Sequence, residues 1–220
     1  MTQDLWTAVD DYIAAHVREH VSLTAALARA VDAGLPPIAV APNQGKLLYL
    51  LARLCGARLV LELGTLAGYS AIWLARALPE GGRVITVEAD PKHAAVARRN
   101  IAEAGLLDTI DVREEDALDA LGRLDREGPK PFDFIFIDAD KERIPEYYEA
   151  SIALSRPGTL VIVDNVIRDG AVVDAGSEDP RIHGVRRFHQ MLTSDDRVEA
   201  TTIQTVGVKG YDGFTMALVR

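Results

Sequence analysis

The segment Phe132–Lys141, FDFIFIDADK, joins a buried strand to a cluster of charges. Its first six residues are apolar at almost every position, which is typical of a strand covered on both faces of a sheet. Asp138, Asp140 and Lys141 follow directly and place three ionisable groups within four positions. An apolar strand that ends in charge predicts a polar site at the carboxyl edge of an α/β sheet.

Strand and helix signals alternate around this segment. Such alternation predicts βαβ units and a parallel sheet with helices on both faces. The last two strand-like runs are joined by GVKGYDG and predict a hairpin with one antiparallel strand. Besides 132–138, the predicted strands are 58–63, 83–88, 109–113, 159–164, 198–206 and 213–219, and the predicted core helices are 68–78, 91–104, 117–124, 144–155 and 180–192.

The amino-terminal part predicts helices that precede the sheet. Residues 4–33 are expected to form one helix, closed by Gly34 and a Pro-Pro break, and residues 43–55 a second. HVREH at 16–20 matches a zinc-peptidase pattern, but it has no supporting third ligand, so coincidence is favoured. We predict one domain over residues 1–220: a helical extension (1–55) and a Rossmann-like, doubly wound α/β core (56–220) with a mostly parallel seven-stranded sheet and a C-terminal antiparallel hairpin.

Composition limits the partners of the chain. The 220 residues suit one α/β domain, and 24 basic against 33 acidic residues give a net charge of −9. This balance argues against general nucleic-acid binding and against docking on anionic membranes. No apolar run reaches transmembrane length, residues 1–11 lack a basic leader region, and the single cysteine excludes an internal disulfide. We expect a cytoplasmic protein without nucleic-acid or membrane partners.

Four predicted strands carry a carboxylate at or near their carboxyl ends. These are Glu62, Glu88, Asp138 and Asp164. Because a helix begins just beyond each strand, the four acids should gather at one edge of the sheet, where open α/β sheets bind ligands. Any one of them alone would be explained equally well as a helix cap. All four together favour a polar ligand site.

The first turn of the core, LELGTLAGYS, is typical of a nucleotide-binding βα unit. Gly64 and Gly68 permit a tight turn, and the next helix offers free N–H groups to an anion. Glu88 lies 88 − 64 = 24 residues beyond Gly64, near the spacing at which an acid binds ribose hydroxyls. The turn lacks the middle glycine of the dinucleotide pattern, so a single nucleoside fits better than a dinucleotide.

Asp138, Asp164 and Asn165 form a second set of candidate ligands. Two carboxylates and one amide, with no nearby thiolate or imidazole, suit Mg²⁺, Mn²⁺ or Ca²⁺ rather than zinc. Helix capping and turn chemistry are the alternative, since Asp-Asn is a common turn pair. Spacing alone leaves both interpretations open.

Five motifs occur in the order ELGTLAGYS, VEAD, FIDADK, DN and YDGFTMAL. In this the chain resembles the cation-dependent, S-adenosylmethionine-dependent O-methyltransferases, the family of catechol and caffeoyl-coenzyme A O-methyltransferases. The resemblance covers about residues 36–220. VAPNQGKLLYLL at 40–51 also resembles the family's entry to the catalytic domain.

The resemblance implies a set of roles. S-adenosylmethionine would be the methyl donor. Mg²⁺ is the expected cation, and Asp138, Asp164 and Asn165 would bind it. Lys141 would be the general base beside Asp138. Glu88 would bind both ribose hydroxyls and Ala117 would lie beside the adenine. A homodimer is expected from bacterial relatives. The cofactor-binding residues implied are Val40, Glu62, Gly64, Gly68, Tyr69, Ser70, Glu88, Ala89, Asp116, Ala117, Asp138, Asp140 and Tyr147.

One position departs from the family pattern. Many plant-type relatives have an aromatic residue near the acceptor where DNVIRDG has Arg168. We expect a small catechol-like or phenolic acceptor, and Arg168 leaves open an acidic or phosphorylated one, or a side chain that faces solvent. Two other functions are less well supported. An NAD-linked oxidoreductase is disfavoured by the missing glycine, and a non-catalytic cofactor-binding module by the presence of both the metal ligands and Lys141.

Overall fold

The strands of the core direct alternate apolar side chains into two helical layers. A computed structural model of the protein describes residues 2–128 and 131–220. Phe134 and Phe136 pack into the cluster on one face of the sheet, while Ile135 and Ile137 pack into the cluster on the other. All four are fully buried. The expectation that FDFIFI lies in the middle of a sheet is confirmed.

Eight α-helices and seven strands occur within the described residues, and the strands form one sheet. The helices are α1 (Gln3–Ala14), α2 (Val21–Asp32), α3 (Pro42–Leu54), α4 (Tyr69–Ala77), α5 (Pro91–Glu103), α6 (Ala117–Glu127), α7 (Ile144–Ala153) and α8 (Pro180–Thr193), and the strands are β1 (Leu59–Leu63), β2 (Arg83–Glu88), β3 (Ile110–Glu114), β4 (Phe134–Ile137), β5 (Leu160–Asp164), β6 (Val198–Gly207) and β7 (Gly210–Val219). Short 3-10 turns cover Lys141–Arg143 and Ala171–Val173.

The sheet has the strand order β3-β2-β1-β4-β5-β7-β6. The first five strands pair in parallel, and β7 is antiparallel to both β5 and β6. Residues of α2 to α5 contribute to the cluster on one face, and residues of α6 to α8 to the cluster on the other. The predicted Rossmann-like fold class is confirmed. The division into a single domain over 1–220 stays a prediction, and Met1, Pro129 and Lys130 lie outside the described residues.

The prediction of one helix over residues 4–33 is wrong. Two helices occupy this range, and residues 15–20 break the helix between them. The His20 side chain accepts a hydrogen bond from the Ser22 backbone N–H and so caps α2. HVREH consequently does not lie on one helical face. The apolar spacing runs through the break, but the two helices pack on different partners: α1 contacts β6, whereas α2 contacts α4 and α5.

The carboxyl-terminal hairpin is tighter than predicted. β6 continues to Gly207 and β7 begins at Gly210, so only Val208 and Lys209 form the turn. Gly210, the residue directly after the turn, has a φ of +93°, a conformation that glycine adopts readily and that in hairpins follows a type I turn as a glycine bulge. The sequence YDG therefore belongs to β7 rather than to a loop.

The helices are not of a membrane-spanning kind. In residues 2–128 and 131–220, each helix is too short or too polar to cross a bilayer.

Candidate active site

A cavity of about 580 Å³ opens at the carboxyl ends of β1, β2 and β4. It lies where the strand order reverses between β1 and β4, the position at which doubly wound sheets bind ligands. Most residues predicted to bind cofactor, together with Lys141 and Asn165, line this cavity. They are Val40, Gly64, Tyr69, Ser70, Glu88, Ala89, Ala117, Asp138, Asp140, Lys141, Tyr147 and Asn165.

The turn after β1 is fixed by close contact with the end of β4. Gly64 has a φ of +96°, and an added Cβ would overlap the backbone carbonyl oxygen of Asp138. The Glu88 carboxylate accepts the backbone N–H of Leu66 at 2.8 Å and that of Asp90 at 2.9 Å. Since each carboxylate oxygen can accept more than one hydrogen bond, Glu88 retains acceptor capacity toward the cavity.

Glu62, predicted to border the cofactor, lies behind the cavity wall. Its side chain is fully buried, and one oxygen accepts a hydrogen bond from the Thr86 hydroxyl at 2.5 Å. The Thr86 hydroxyl is also 2.5 Å from that of Thr65, which lines the cavity. Burial raises the pKa of Glu62 to about 7. Gly68 and Asp116 are likewise outside the cavity lining.

Arg143, which sequence reasoning missed, organises one side of the cavity. Its guanidinium binds Asp116 at 2.7 Å and Asp140 at 3.0 Å. Asp140 also accepts the Tyr147 hydroxyl, and Asp116 caps α6 through the Leu118 N–H at 2.8 Å. The hydrogen bond from Arg143 lowers the pKa of Asp116, while burial and the bond to Asp140 raise the pKa of Tyr147. Asp140 thus lines the cavity next to the start of α7. The i, i+3 spacing of Asp140 and Arg143 is the sequence feature from which this ion pair could have been predicted.

The predicted metal ligands come from the ends of β4 and β5. Lys141 Nζ lies 2.7 Å from Asp138 Oδ1. Asp164 is 4% exposed, and its oxygens accept the Gln44 side-chain amide at 2.7 Å and the Asn165 backbone N–H at 2.9 Å. Burial, and second the negative charge of Asp138, raise the pKa of Asp164 to about 7. Gln44 is a further residue that the sequence did not single out.

The donor set fits a hard divalent cation. The Asp138 and Asp164 carboxylates repel one another, and Asp164 is buried, so a cation between them would stabilise both. Mg²⁺ and Mn²⁺ prefer oxygen donors of this kind. In the described parts of the chain, no group of three or more His, Cys, Asp or Glu side chains is placed to hold a metal. A cation bound by Asp138 and Asp164 would therefore need the predicted third donor, the amide of Asn165.

A second cavity of about 210 Å³ adjoins the ligand set from the other side. Asp164 and Asn165 line it together with residues of α1, α3 and the β6–β7 hairpin, among them Asp10, Gln44 and Phe214. Asn165 borders both cavities, so the ligand set lies between them. Arg168 lines the larger cavity, with its guanidinium 3.8 Å from the Asp212 carboxylate.

The site combines a nucleotide-type turn after β1, an acid at the end of β2 and oxygen donors at the ends of β4 and β5. On a Rossmann-like sheet, this combination fits the methyltransferase class. A model of the O-methyltransferase family matches residues 13–219, and the chain belongs to that family. The implied enzyme class is thereby confirmed.

Individual relatives agree over the whole chain. Catechol O-methyltransferase from Niastella koreensis is 53% identical over 221 residues, covering 100% of each chain. The crystal structure of the O-methyltransferase from Bacillus cereus in complex with SAH has a TM-score of 0.98 at 51% identity, also covering 100% of both chains. An O-methyltransferase from Streptomyces achromogenes involved in tomaymycin synthesis, solved with SAM, has a TM-score of 0.96 at 50% identity and covers 100% of this chain and 99% of that one.

Proposed function

We propose that the protein transfers a methyl group from S-adenosylmethionine to a hydroxyl of a small catechol-like or phenolic acceptor, with a divalent cation held by Asp138, Asp164 and Asn165. The observation that carries the proposal is the convergence of these oxygen donors and Lys141 where the larger and the smaller cavity meet. The Niastella koreensis relative, a catechol O-methyltransferase at 53% identity, supports the acceptor class.

The cavity supplies binding groups for the cofactor. When bound, S-adenosylmethionine supplies a methyl group on a positively charged sulfur, and relatives solved with SAH and SAM support this cofactor. Glu88 at the end of β2 has free acceptor capacity for ribose hydroxyls, and Ala117 at the start of α6 offers an apolar surface to the base. Ser70 and Tyr69 line the region next to Gly64, where the methionine part would lie.

The acceptor side requires alignment and loss of a proton. A phenolic hydroxyl has a pKa of about 10 and is a poor nucleophile at neutral pH. A divalent cation, when bound by Asp138, Asp164 and Asn165, would supply Lewis acidity that lowers this pKa. Lys141 lies on the cavity with Nζ 2.7 Å from Asp138, where its ammonium form makes an ion pair. Lys141 would leave this ion pair when Asp138 binds a cation, and once its ammonium group has released a proton to solvent, the neutral amine is placed to take the hydroxyl proton. The smaller cavity beside Asp164 offers room for the acceptor ring.

A methyl-transfer assay tests this function directly. Purified protein is incubated with labelled S-adenosylmethionine and catechols, hydroxycinnamoyl thioesters or flavonoids, first with chelator and then with added Mg²⁺ or Mn²⁺. We expect methylation that chelation abolishes and the cation restores. Full turnover in chelator, with metal absent by elemental analysis, would contradict the cation. Absence of transfer to every phenol, with S-adenosylmethionine bound, would favour a non-catalytic binding module.

Calorimetric titration separates the cofactor alternatives. We expect S-adenosylmethionine to bind and NAD⁺ not to, and the reverse result would favour the oxidoreductase. Glu88→Ala should weaken S-adenosylmethionine binding by on the order of tenfold or more, because charge-assisted hydrogen bonds to ribose are lost. Glu88→Gln removes the charge but keeps one acceptor oxygen, which can serve either the Leu66 or the Asp90 N–H, so its loss of affinity should be smaller than that of Glu88→Ala. An unchanged dissociation constant in both variants would place the ribose elsewhere.

A further inference from the structure

We propose that Asp212 is a positioning residue that fixes the loop after β5 and thereby holds Asn165 in the candidate cation site. Asp212 lies on β7, in the segment YDGFTMAL, and borders the smaller cavity. The inference deepens the proposed function, since it rests on Asn165 as a cation ligand. It assigns a role to a residue that is distant in sequence from the ligand set.

One carboxylate oxygen of Asp212 accepts hydrogen bonds from several backbone N–H groups of the loop and its neighbour Gly213. Its Oδ1 accepts the N–H groups of Ile167 at 2.9 Å, Arg168 at 3.0 Å and Gly213 at 2.9 Å. Its Oδ2 lies 3.8 Å from the Arg168 guanidinium. A carboxylate suits this task because it can accept several donors at once, and such charge-assisted hydrogen bonds are strong ones.

The backbone of β7 binds the same loop on both sides of Asp212. The Tyr211 carbonyl accepts the Asp169 N–H, and the Gly213 carbonyl accepts the Val166 N–H, both at 3.0 Å. An added Cβ at Gly213 would overlap the Ile203 carbonyl oxygen, so the approach of the loop, β7 and β6 requires glycine there. Four consecutive loop residues, 166–169, are therefore bound through their N–H groups to the start of β7.

The loop needs this support because its backbone is strained. Asn165, Arg168 and Asp169 have φ values of +59°, +55° and +55°, in the left-handed region. Asn and Asp enter this region more readily than other residues with a side chain, so the strain falls mainly on Arg168, whose N–H is one of those bound by Asp212. Such conformations persist only where the surroundings enforce them. Without Asp212, the loop can relax toward ordinary φ values, and a relaxed loop would move the Asn165 amide away from Asp138 and Asp164. Removal of a group that hydrogen-bonds directly to a metal ligand typically weakens metal binding by roughly 10–100-fold. Asp212 acts on Asn165 through the loop backbone rather than by a direct bond, and we expect an effect in the same range.

Two substitutions at position 212 and one control test the role. Asp212→Ala removes the acceptor, whereas Asp212→Asn keeps an amide oxygen that can accept the same N–H groups. Asp174→Ala is the matched control: Asp174 is an exposed loop aspartate that accepts the Gly176 N–H at 2.9 Å outside both cavities. Mn²⁺ affinity is measured by electron paramagnetic resonance on the protein without acceptor. S-adenosylmethionine affinity, measured by calorimetry, checks that the folded cofactor site is retained.

We expect Asp212→Ala to weaken Mn²⁺ binding by roughly 10–100-fold while S-adenosylmethionine binding stays close to wild type. Asp212→Asn should recover most of the Mn²⁺ affinity, and Asp174→Ala should change neither. A folded Asp212→Ala protein with wild-type Mn²⁺ affinity would overturn the proposal, because a merely stabilising aspartate would lower the melting temperature only.

Hydrogen exchange gives a readout that does not require metal or activity. Amides of residues 166–169 should exchange faster in Asp212→Ala than in wild type, with amides of the cofactor turn unchanged, and Asp212→Asn should restore protection. Unchanged protection at 166–169 would refute the proposal that Asp212 fixes this loop. A wild-type protein that methylates no phenol would contradict the proposed function, yet exchange and Mn²⁺ binding would still decide the role of Asp212.

Discussion

Asp138 and Lys141 form an ion pair, although the proposed mechanism gives them different tasks. Lys141 Nζ lies 2.7 Å from Asp138 Oδ1, and both side chains are largely buried. In this arrangement the ammonium group neutralises the carboxylate that would otherwise face a cation. Lys141 therefore competes with the cation for Asp138, and its removal should not weaken cation binding.

We predict that Lys141→Ala lowers turnover at neutral pH by about 10²-fold, the low end of a general-base contribution. Cofactor and Mn²⁺ affinities should stay at or above wild type, and higher pH should recover part of the rate. Asp138→Asn should instead lose Mn²⁺ affinity, and raising the pH should rescue little. Turnover against pH at saturating cofactor and cation, together with binding titrations, checks both variants. Matching pH profiles would contradict the division of roles.

Glu62 gives the fold a measurable pH dependence. Its pKa is raised by burial from 4.5 to about 7, so its stabilising contribution is fully present below pH 4.5 and is lost as pH rises through 7. For this fully buried group the loss is on the order of 3 kcal/mol. Glu62→Gln cannot ionise, so wild type should become less stable relative to this variant between pH 4.5 and pH 8. Urea unfolding of both proteins without cofactor measures this, and a pH-independent difference would refute it.

At the scale of elements, the β1–α4 turn depends on Gly64 for space as well as for conformation. Gly158 has a similar φ of +92° but open space where a Cβ would lie, whereas a Cβ at Gly64 would overlap the Asp138 backbone. Gly158→Ala should cost about 1–2 kcal/mol from strain alone. Gly64→Ala should cost a further ~1–3 kcal/mol from overpacking and should also impair cofactor binding. Denaturant unfolding and calorimetry compare the pair, and equal losses would contradict the role of the close approach.

Local sequence patterns predicted the features that depend on residues close together in the chain. FDFIFI is apolar at almost every position, and it contains the central strand β4 as its pattern predicted. Residues that act across the chain were not predictable in this way. Gln44 meets Asp164 over 120 residues, and Asp212 meets Ile167 over 45. No periodicity encodes such a contact.

The break between α1 and α2 shows the same limit at the amino terminus. The apolar spacing of residues 5, 9, 13 and 17 continues through it, so the sequence predicted one helix. Tertiary contacts decide otherwise. Asp10 accepts the Asn43 side-chain amide at 3.0 Å and the Val208 backbone N–H at 2.8 Å, which fixes α1 between α3 and the hairpin turn. The position of α1 beside the smaller cavity follows from these long-range bonds.

At the scale of the whole molecule, α1 leaves an apolar stripe uncovered. None of its residues is buried, and Leu5, Val9, Tyr12 and Ile13 are between 40% and 69% exposed. Their spacing of i, i+4, i+7 and i+8 places them on one helical face. A helix that hydrogen-bonds to the rest of its chain through Gln3 and Asp10, and that exposes an apolar face, is suited to packing against a second copy about a twofold axis.

We predict that the protein is a homodimer in which α1 contributes to the interface. Light scattering at micromolar concentration should give a particle of twice the 23.9 kDa chain mass. Val9→Glu and Tyr12→Glu place a charge on the stripe, where burial of an unpaired carboxylate is costly, so both should shift the particle toward a single chain. Leu107→Glu is the control, because Leu107 is 63% exposed in the segment between α5 and β3, away from α1. A 23.9 kDa wild-type particle would refute the dimer, and dimers that persist in both stripe variants would place the interface on another surface.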